Sequence, residues 1–390
     1  MTFRTLPRLL PLLLIAVAAP LSFACGGSDD ESGESDTWRI GLEAPLSGDQ
    51  SGVGEGMLKG AQLAAAQLNS EDGLLGKDVE IIPIDDKADP DAGVTAANSA
   101  IEAGLDGVVG PYNSGVGIET LPLYIKAGLV PIRLTSDNAT DGMGYTLQPM
   151  TDQIAPVASE AMTKWLGAKK VAIVYDNTED YTRGVAKAVK EDLESSGVKI
   201  VAFDPIAPGG KNYDEEVGRL DSSGADVVYA AVYYPEGAKI AKGMLEQKVD
   251  AQCLADYGSY DTGYVKDAGV EAARSCPVVG VPAPGDFEDS AQYLRDFQED
   301  FGTDPGTWSP YAYDSVNLLA EAVKESDGFD STKLNDFLAK VDGSKGWTGE
   351  VTLDPKTGNR DPATVVVTSA DANGDLHVDK EWAKAVGAPY

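Results

Sequence analysis

Short apolar runs alternate along residues 38–281 with longer stretches in which apolar residues return every three to four positions. "WRIGLEAPL", "DVEIIPIDD", "DGVVGP" and "LVPIRLTS" are too short for helices and read as strands. Between them, "GMLKGAQLAAAQLN" sets Met57, Ala61, Ala64, Ala65 and Leu68 on one helical face. "AGVTAANSAIEAG" is a helix closed by Gly104, and "IETLPLYIKAG" is a further helical segment. The alternation then restarts with the helix "IAPVASEAMTKWLG", the strand "KKVAIVYD", the helix "TRGVAKAVKEDLESSG" and the strand "VKIVAFDPI". It continues through "YDEEVGRLDSSG" (helix), "ADVVYAAVYY" (strand), "EGAKIAKGMLEQK" (helix) and the strands "AQCLADYG" and "CPVVGVPA". This order predicts an α/β fold of two doubly wound parallel-sheet lobes. Residues 144–156 and 280–289 are candidate hinges. Helices "AQYLRDFQEDFG", "PYAYDSVNLLAEAVKES" and "TKLNDFLAKV" follow, then strands and turns, with Asn373-Gly374 as a hairpin signal.

Ligands of open α/β sheets bind beyond the carboxyl ends of the strands. Five such ends run into small or polar residues: "APLSGDQSG" (44–52), "GPYNSG" (110–115), "RLTSDNA" (133–139), "YDNTEDY" (175–181) and "ADYGSYD" (255–261). Three belong to the first unit and two to the second, so facing lobes line one cleft with all five. Asn113, Ser114 and Gly115 are suited to the polar head of a small molecule, because small residues admit close backbone approach.

Charge narrows the partners. The chain carries 31 basic and 63 acidic residues, a formal charge of −32. Such a surface repels phosphate backbones, which argues against nucleic acid. His377 is the single histidine, so His-based metal sites and triads have almost no material. Residues 1–24 read as a signal peptide, with Arg4 and Arg8 ahead of an apolar stretch. "LSFACGG" resembles a bacterial lipobox, which makes Cys25 the acylated residue. Cleavage after Ala24 by ordinary signal peptidase is the alternative. Residues 25–37 form an acidic Gly/Ser tether. Export exposes Cys253 and Cys276 to oxidising conditions, where they form a disulfide or else remain buried thiols.

Two motif readings point elsewhere and are weak. Ser196-Gly197-Val198-Lys199, Ser136-Asp137-Asn138 and Lys356-Thr357-Gly358 match β-lactamase motifs, but in the wrong order and on the wrong elements. Asp371-Ala372-Asn373-Gly374-Asp375 has the spacing of calcium ligands. Trp382 stands where a twelve-residue loop needs its glutamate, so a hairpin turn is the better account.

"PLSGDQSGVGEGMLKGAQLAAAQLN", "GLLGKDVEIIPIDDKADPDAGVTAA", "VVGPYNSGV", "KKVAIVYDNTEDYTRG" and "VYYPEGAKI" carry, in this order, a resemblance to the type I periplasmic substrate-binding proteins of ABC transporters. The branch it resembles binds leucine, isoleucine and valine. The resemblance implies three hinge crossings, with residues 38–148 and 283–345 in the first lobe and 149–282 and 346–390 in the second. It implies an exported, membrane-tethered monomer that closes on an amino acid and delivers it to permease subunits, with no cofactor, metal or covalent chemistry. An amide, urea-like or aromatic carboxylate ligand, or a sensing role, is the alternative. The family's binding serine falls on Ser114, beside Asn113, and its head-group segment on Thr135, Ser136 and Asp137. Its closing-lobe tyrosines fall on Tyr181 and Tyr233, although "DNTEDY" is one residue longer than usual. The ammonium partner falls at Asp256 or, by strict register, Tyr257, with Asp137 as another choice. Trp308 matches the aromatic over the ligand side chain, and Val53 replaces a pocket tyrosine.

Overall fold

The computed structural model describes residues 37–287 and 290–390. The expected signal peptide, Cys25 and the tether up to residue 36 lie outside the described residues. Thr37, expected in the tether, opens the first strand.

The first lobe runs β1 (Thr37–Ala44), α1 (Ser51–Ser70), β2 (Asp78–Asp85), α2 (Pro90–Glu102), β3 (Gly107–Val109), α3 (Ser114–Lys126), β4 (Pro131–Arg133) and β5 (Tyr145–Thr146). The second follows with α4 (Thr151–Glu160), β6 (Lys170–Asp176), α5 (Asp180–Ser195), β7 (Lys199–Ile206), α6 (Asp214–Ser222), β8 (Val227–Ala231), α7 (Tyr234–Gln247), β9 (Gln252–Ala255), α8 (Thr262–Ala268), α9 (Val270–Ser275) and β10 (Val278–Gly280). The chain then makes α10 (Ala291–Phe301), α11 (Ser309–Ser326), α12 (Ser331–Leu338), β11 (Ser344–Gly346), β12 (Gly349–Val351), β13 (Val366–Ala370), β14 (Leu376–Val378) and α13 (Lys380–Val386).

Five parallel strands order the first sheet as β2-β1-β3-β4-β5. The second sheet is β14-β13-β10-β9-β8-β6-β7, parallel except for β13 and β14 at one side. Central β8 is buried at every position, whereas edge strand β2 buries only Val79 and Ile84 fully. Helices on both faces of a parallel sheet account for the continuous apolar runs of its central strands. Helix α5 shows the complementary pattern. Val185, Val189 and Leu193 are fully buried, each contributing about 1.5–3 kcal/mol, while Lys187–Glu191 and Lys190–Glu194 pair on its solvent side.

Helices α10 and α11 return to the first lobe. Gly60 of α1 lies under α11 so closely that a Cβ there would sit 2.1 Å from the Ser309 carbonyl oxygen. The β11–β12 hairpin stays with this lobe too. Trp347 and Thr348 donate their backbone N–H groups to Asp314 of α11 at 3.0 and 2.7 Å, and Gly142 donates to the Thr357 carbonyl at 2.7 Å. Residues 344–360, expected in part in the second lobe, therefore pack with first-lobe elements, and the chain rejoins the second sheet at Val366. Buried Asp314 collects the hairpin's amides, a tie that apolar patterning does not register. A second difference concerns α3, which starts at Ser114 instead of Ile118. Gly115 and Gly117 read as loop, but a Cβ at either would lie 2.6 Å from Glu179 or Thr135, so their smallness serves close packing inside a helix.

Cys253 and Cys276 form a disulfide that ties β9 to the segment entering β10. β13 and β14 pair antiparallel around Asn373-Gly374. Among the described residues no helix is long and apolar enough to cross a membrane.

Candidate functional site

The carboxyl ends of the two sheets converge. From the first lobe come the turn after β3, which leads into the N-terminus of α3, and the loop after β4. From the second come the segments after β6, β8 and β9. Between them lies a cavity lined by Tyr112, Ser114, Leu134, Ser136, Tyr181, Tyr233, Tyr257 and Gly258.

Ser114 opens α3 and is 1% exposed. Its Oγ accepts the backbone N–H groups of Ser136 at 3.2 Å and Asp137 at 3.1 Å. The hydroxyl thus clamps the β4 loop onto the helix start and keeps its own proton for another acceptor. The first N–H groups of a helix have no intrahelical partner and favour negative charge, so this corner offers the kind of donors that suit a carboxylate.

The second lobe faces it with tyrosines. Asp256 follows β9, fully buried, and its carboxylate organises them. Tyr181 donates to Oδ2 at 2.9 Å, Tyr229 donates to Oδ1, and the Gly258 N–H donates to Oδ2 at 3.0 Å. Burial pushes the Asp256 carboxyl up, while the hydrogen bonds from Tyr229, Gly258 and Tyr181 pull it down; the net direction is upward. Tyr257 hydrogen-bonds Gln148 in the first hinge crossing, and Tyr234 donates to the Asp49 carbonyl of the first lobe at 2.6 Å. Trp308 packs on Tyr257 at 5.1 Å, on Tyr260 at 5.7 Å and on Tyr112 at 5.8 Å between ring centroids.

Glu179 caps α5 through the Asp180 N–H and also reaches the first lobe, where its Oε1 accepts the Gly115 N–H at 3.1 Å. Burial pushes its carboxyl up to about 7, against the pull of the two amides and with the push of Asp180 and Asp176.

The cavity is small, about 10 Å³, room for roughly one water. The lobes are closed and side chains fill the cleft. Larger grooves lie elsewhere: two, of about 520 and 700 Å³, are lined chiefly by α11, α12 and the β11–β12 hairpin, and one of about 220 Å³ is lined by Asp141, Asp152, Asp354 and Asp361 with their neighbours.

Ser114, Ser136, Tyr181, Tyr233 and Tyr257 therefore meet around one space, with Trp308 packed beside it. Asn113 is buried next to them and its amide bonds Gln50 at 3.1 Å. Other expected contacts turn elsewhere. Thr135 Oγ1 pairs with Thr140 at 2.8 Å and receives buried Arg133 at 3.2 Å. Asp137 accepts the Ala139 N–H at 2.7 Å as the cap of a short 3-10 turn. Val53 is 2% exposed in the α1 core. Both Asp256 oxygens already accept hydrogen bonds, from two hydroxyls and an amide, and Asp256 does not line the cavity; it positions Tyr181 instead. Sequence reasoning missed Tyr112, Leu134, Gly258 and Glu179. Glu179 lies within "DNTEDY", the stretch that is one residue longer than usual for the family it resembles.

Among the described residues Asp371, Asp375 and His377 form one group with ligand atoms within 4.8 Å of each other. Asp371 Oδ1, however, already accepts the N–H groups of Asn373, Gly374 and Asp375, as an acid organising a hairpin turn does.

A family model described as "Periplasmic binding protein" matches residues 37–375. The chain is 28% identical over 326 residues to Leu/Ile/Val-binding protein homolog 2 of Brucella abortus, an alignment covering 81% of this chain and 86% of the relative. It is 27% identical over 360 residues to Leu/Ile/Val-binding protein homolog 1 of Brucella melitensis, covering 90% and 94%. The branched-chain amino acid transporter substrate binding protein LivJ of Streptococcus pneumoniae, solved in complex with isoleucine, superimposes with a TM-score of 0.79 at 26% identity, covering 87% of this chain and 97% of that one.

Proposed function

Because the chain belongs to the periplasmic binding protein family, we propose that it is the extracytoplasmic solute-binding protein of an ABC importer. It takes a branched-chain or related amino acid between its lobes and hands it to the permease. The observation that carries this reading is the pairing of a carboxylate receptor on one lobe with a tyrosine wall on the other.

The Ser114 hydroxyl and the Gly115 N–H, at the start of α3, hold the ligand's α-carboxylate. Each charge-assisted hydrogen bond contributes about 1.5–3 kcal/mol in a site that excludes water. Ser136 and Tyr233 meet the polar head, and Asp256 fixes Tyr181 against it. Tyr112, Tyr257 and Trp308 form the apolar wall for the ligand's side chain. Only the closed form supplies both lobes' contacts, so the ligand stabilises closure by the second-lobe share. The permease reads the closed shape. Acylated Cys25 and the acidic tether hold the monomer at the outer face of the cell membrane. The binding is non-covalent and uses no cofactor.

The density of rings around the cavity favours one second reading, a flat aromatic carboxylate held by the same receptor. Calorimetric titration of residues 26–390, stripped of carried-over ligand, decides between them. Micromolar binding of leucine, isoleucine or valine, about −8 kcal/mol, supports the first reading. Binding of 4-hydroxybenzoate with silence from all amino acids selects the second. Silence from both overturns the carboxylate site.

A further inference from the structure

The carboxylate receptor of the first lobe is in use. The Glu179 side chain reaches it from the second lobe and accepts the Gly115 N–H at 3.1 Å while also capping α5. One carboxylate therefore bridges the N-termini of two helices that belong to different lobes. The fit is tight: a Cβ on Gly115 would lie 2.6 Å from Glu179 Oε2. The hold is also weak for a charged group. Asp176 and Asp180 repel the carboxylate, and its charge helps buried Asp86 to keep its own proton. Asp176, Asp180 and the glutamate itself come from "DNTEDY", and Asp86 from the end of β2.

We infer that Glu179 is a built-in competitor for the carboxylate subsite: it latches the lobes together and must be displaced by the carboxylate of an incoming ligand. The inference rests on the reading of the cleft as a carboxylate site. It makes Glu179 a determinant of selection. A ligand gains only the difference between its own contacts and those Glu179 gives up, so molecules without a carboxylate cannot release the latch. A ligand carboxylate succeeds because it takes the Gly115 N–H together with the Ser114 hydroxyl, and because displacement carries Glu179 away from its acidic neighbours. The closed, plugged form is not binding-competent, so its population lowers the apparent affinity.

The test is Glu179→Ser, which keeps a good cap for α5 but is too short to reach Gly115. Small-angle scattering of the ligand-free mature protein is the first readout. The variant is expected to have a larger radius of gyration than the wild type. Gly115→Ala, which pushes the carboxylate off from the other side, is expected to open the lobes likewise. An unchanged radius in both variants overturns the latch. Titration with isoleucine is the second readout, and E179S is expected to bind roughly tenfold more tightly, the worth of one lost charge-assisted competitor bond. Weaker binding in E179S overturns the competitor, because it makes Glu179 a ligand contact. If neither protein binds any amino acid or 4-hydroxybenzoate, the carboxylate reading fails, while scattering still decides the latch.

Discussion

Asp86 provides a way to measure what the acids beneath the cleft do to stability. It follows β2 and is fully buried. Its Oδ1 accepts the Ala88 N–H at 2.8 Å, and its Oδ2 has no hydrogen-bond partner among the described residues. Burial pushes the carboxyl up to about 7, the Ala88 amide works against this, and Asp85 and Glu179 add to it. In the unfolded chain an aspartate titrates near about 3.9. Between these two values the folded state keeps a proton that the unfolded state has released. The contribution of this group is therefore complete below about pH 4 and is lost as the pH rises to about 7. At about 1.4 kcal/mol per unit the full loss is about 4 kcal/mol, of which about 3 kcal/mol falls above pH 5. Asp86→Asn abolishes the titration and keeps the acceptor for Ala88. Its buried amide costs about 1–3 kcal/mol at every pH. The assay is urea unfolding of both proteins at about pH 5 and pH 8. The wild type is expected to lose about 3 kcal/mol more than the variant over that interval. Parallel pH dependences would refute the placement of Asp86 as a proton-holding buried acid.

Three further outcomes are expected. Ser114→Ala weakens isoleucine binding by roughly tenfold in calorimetry, and lowers the melting temperature by a few degrees because the Ser136 and Asp137 amides lose their acceptor. Tyr229→Phe removes one donor to the buried Asp256 carboxylate with little change of volume; chemical unfolding should show a loss of about 1.5–3 kcal/mol, and a loss below about 0.5 kcal/mol counts against that bond. Gly60→Ala drives a methyl into the Ser309 carbonyl and should destabilise the first lobe by several kcal/mol, read as early unfolding of α1 and α11 in hydrogen exchange.

The elements were legible because each lobe is built from continuous apolar runs for its central strands and period-3.6 patterns for its helices, which burial enforces. β8 and α5 are cases where burial follows the pattern almost residue by residue. The five strand-end clusters were legible for the same reason, since parallel strands deliver their carboxyl ends to one side. Which side chain turns inward was not. Thr135 and Ser136 are adjacent and chemically alike, yet buried Arg133 captures the hydroxyl of the first, while the second lines the cavity. Asp256 stood at the right strand end, but Tyr229 lies inside a strand and gave no sign that it would consume an oxygen. The place of residues 346–360 depends on Asp314 amide contacts that no local pattern encodes.

The closed cleft also constrains how selection works. A cavity of about 10 Å³ cannot hold an amino acid, so the side chains that line it must separate to admit one. Tyr112 reaches across to Tyr233 at 6.1 Å between centroids, and Trp308 to Tyr257 at 5.1 Å. A ligand must replace these ring contacts as well as the Glu179 carboxylate. The hydrophobic gain of a ligand side chain is thus counted against rings that already have partners, and it is smaller than its area alone implies. Discrimination between leucine-sized and larger side chains then depends on how far Trp308 and Tyr257 separate. The carboxylate exchange at Ser114 and Gly115 is common to every candidate and sets only whether the lobes release.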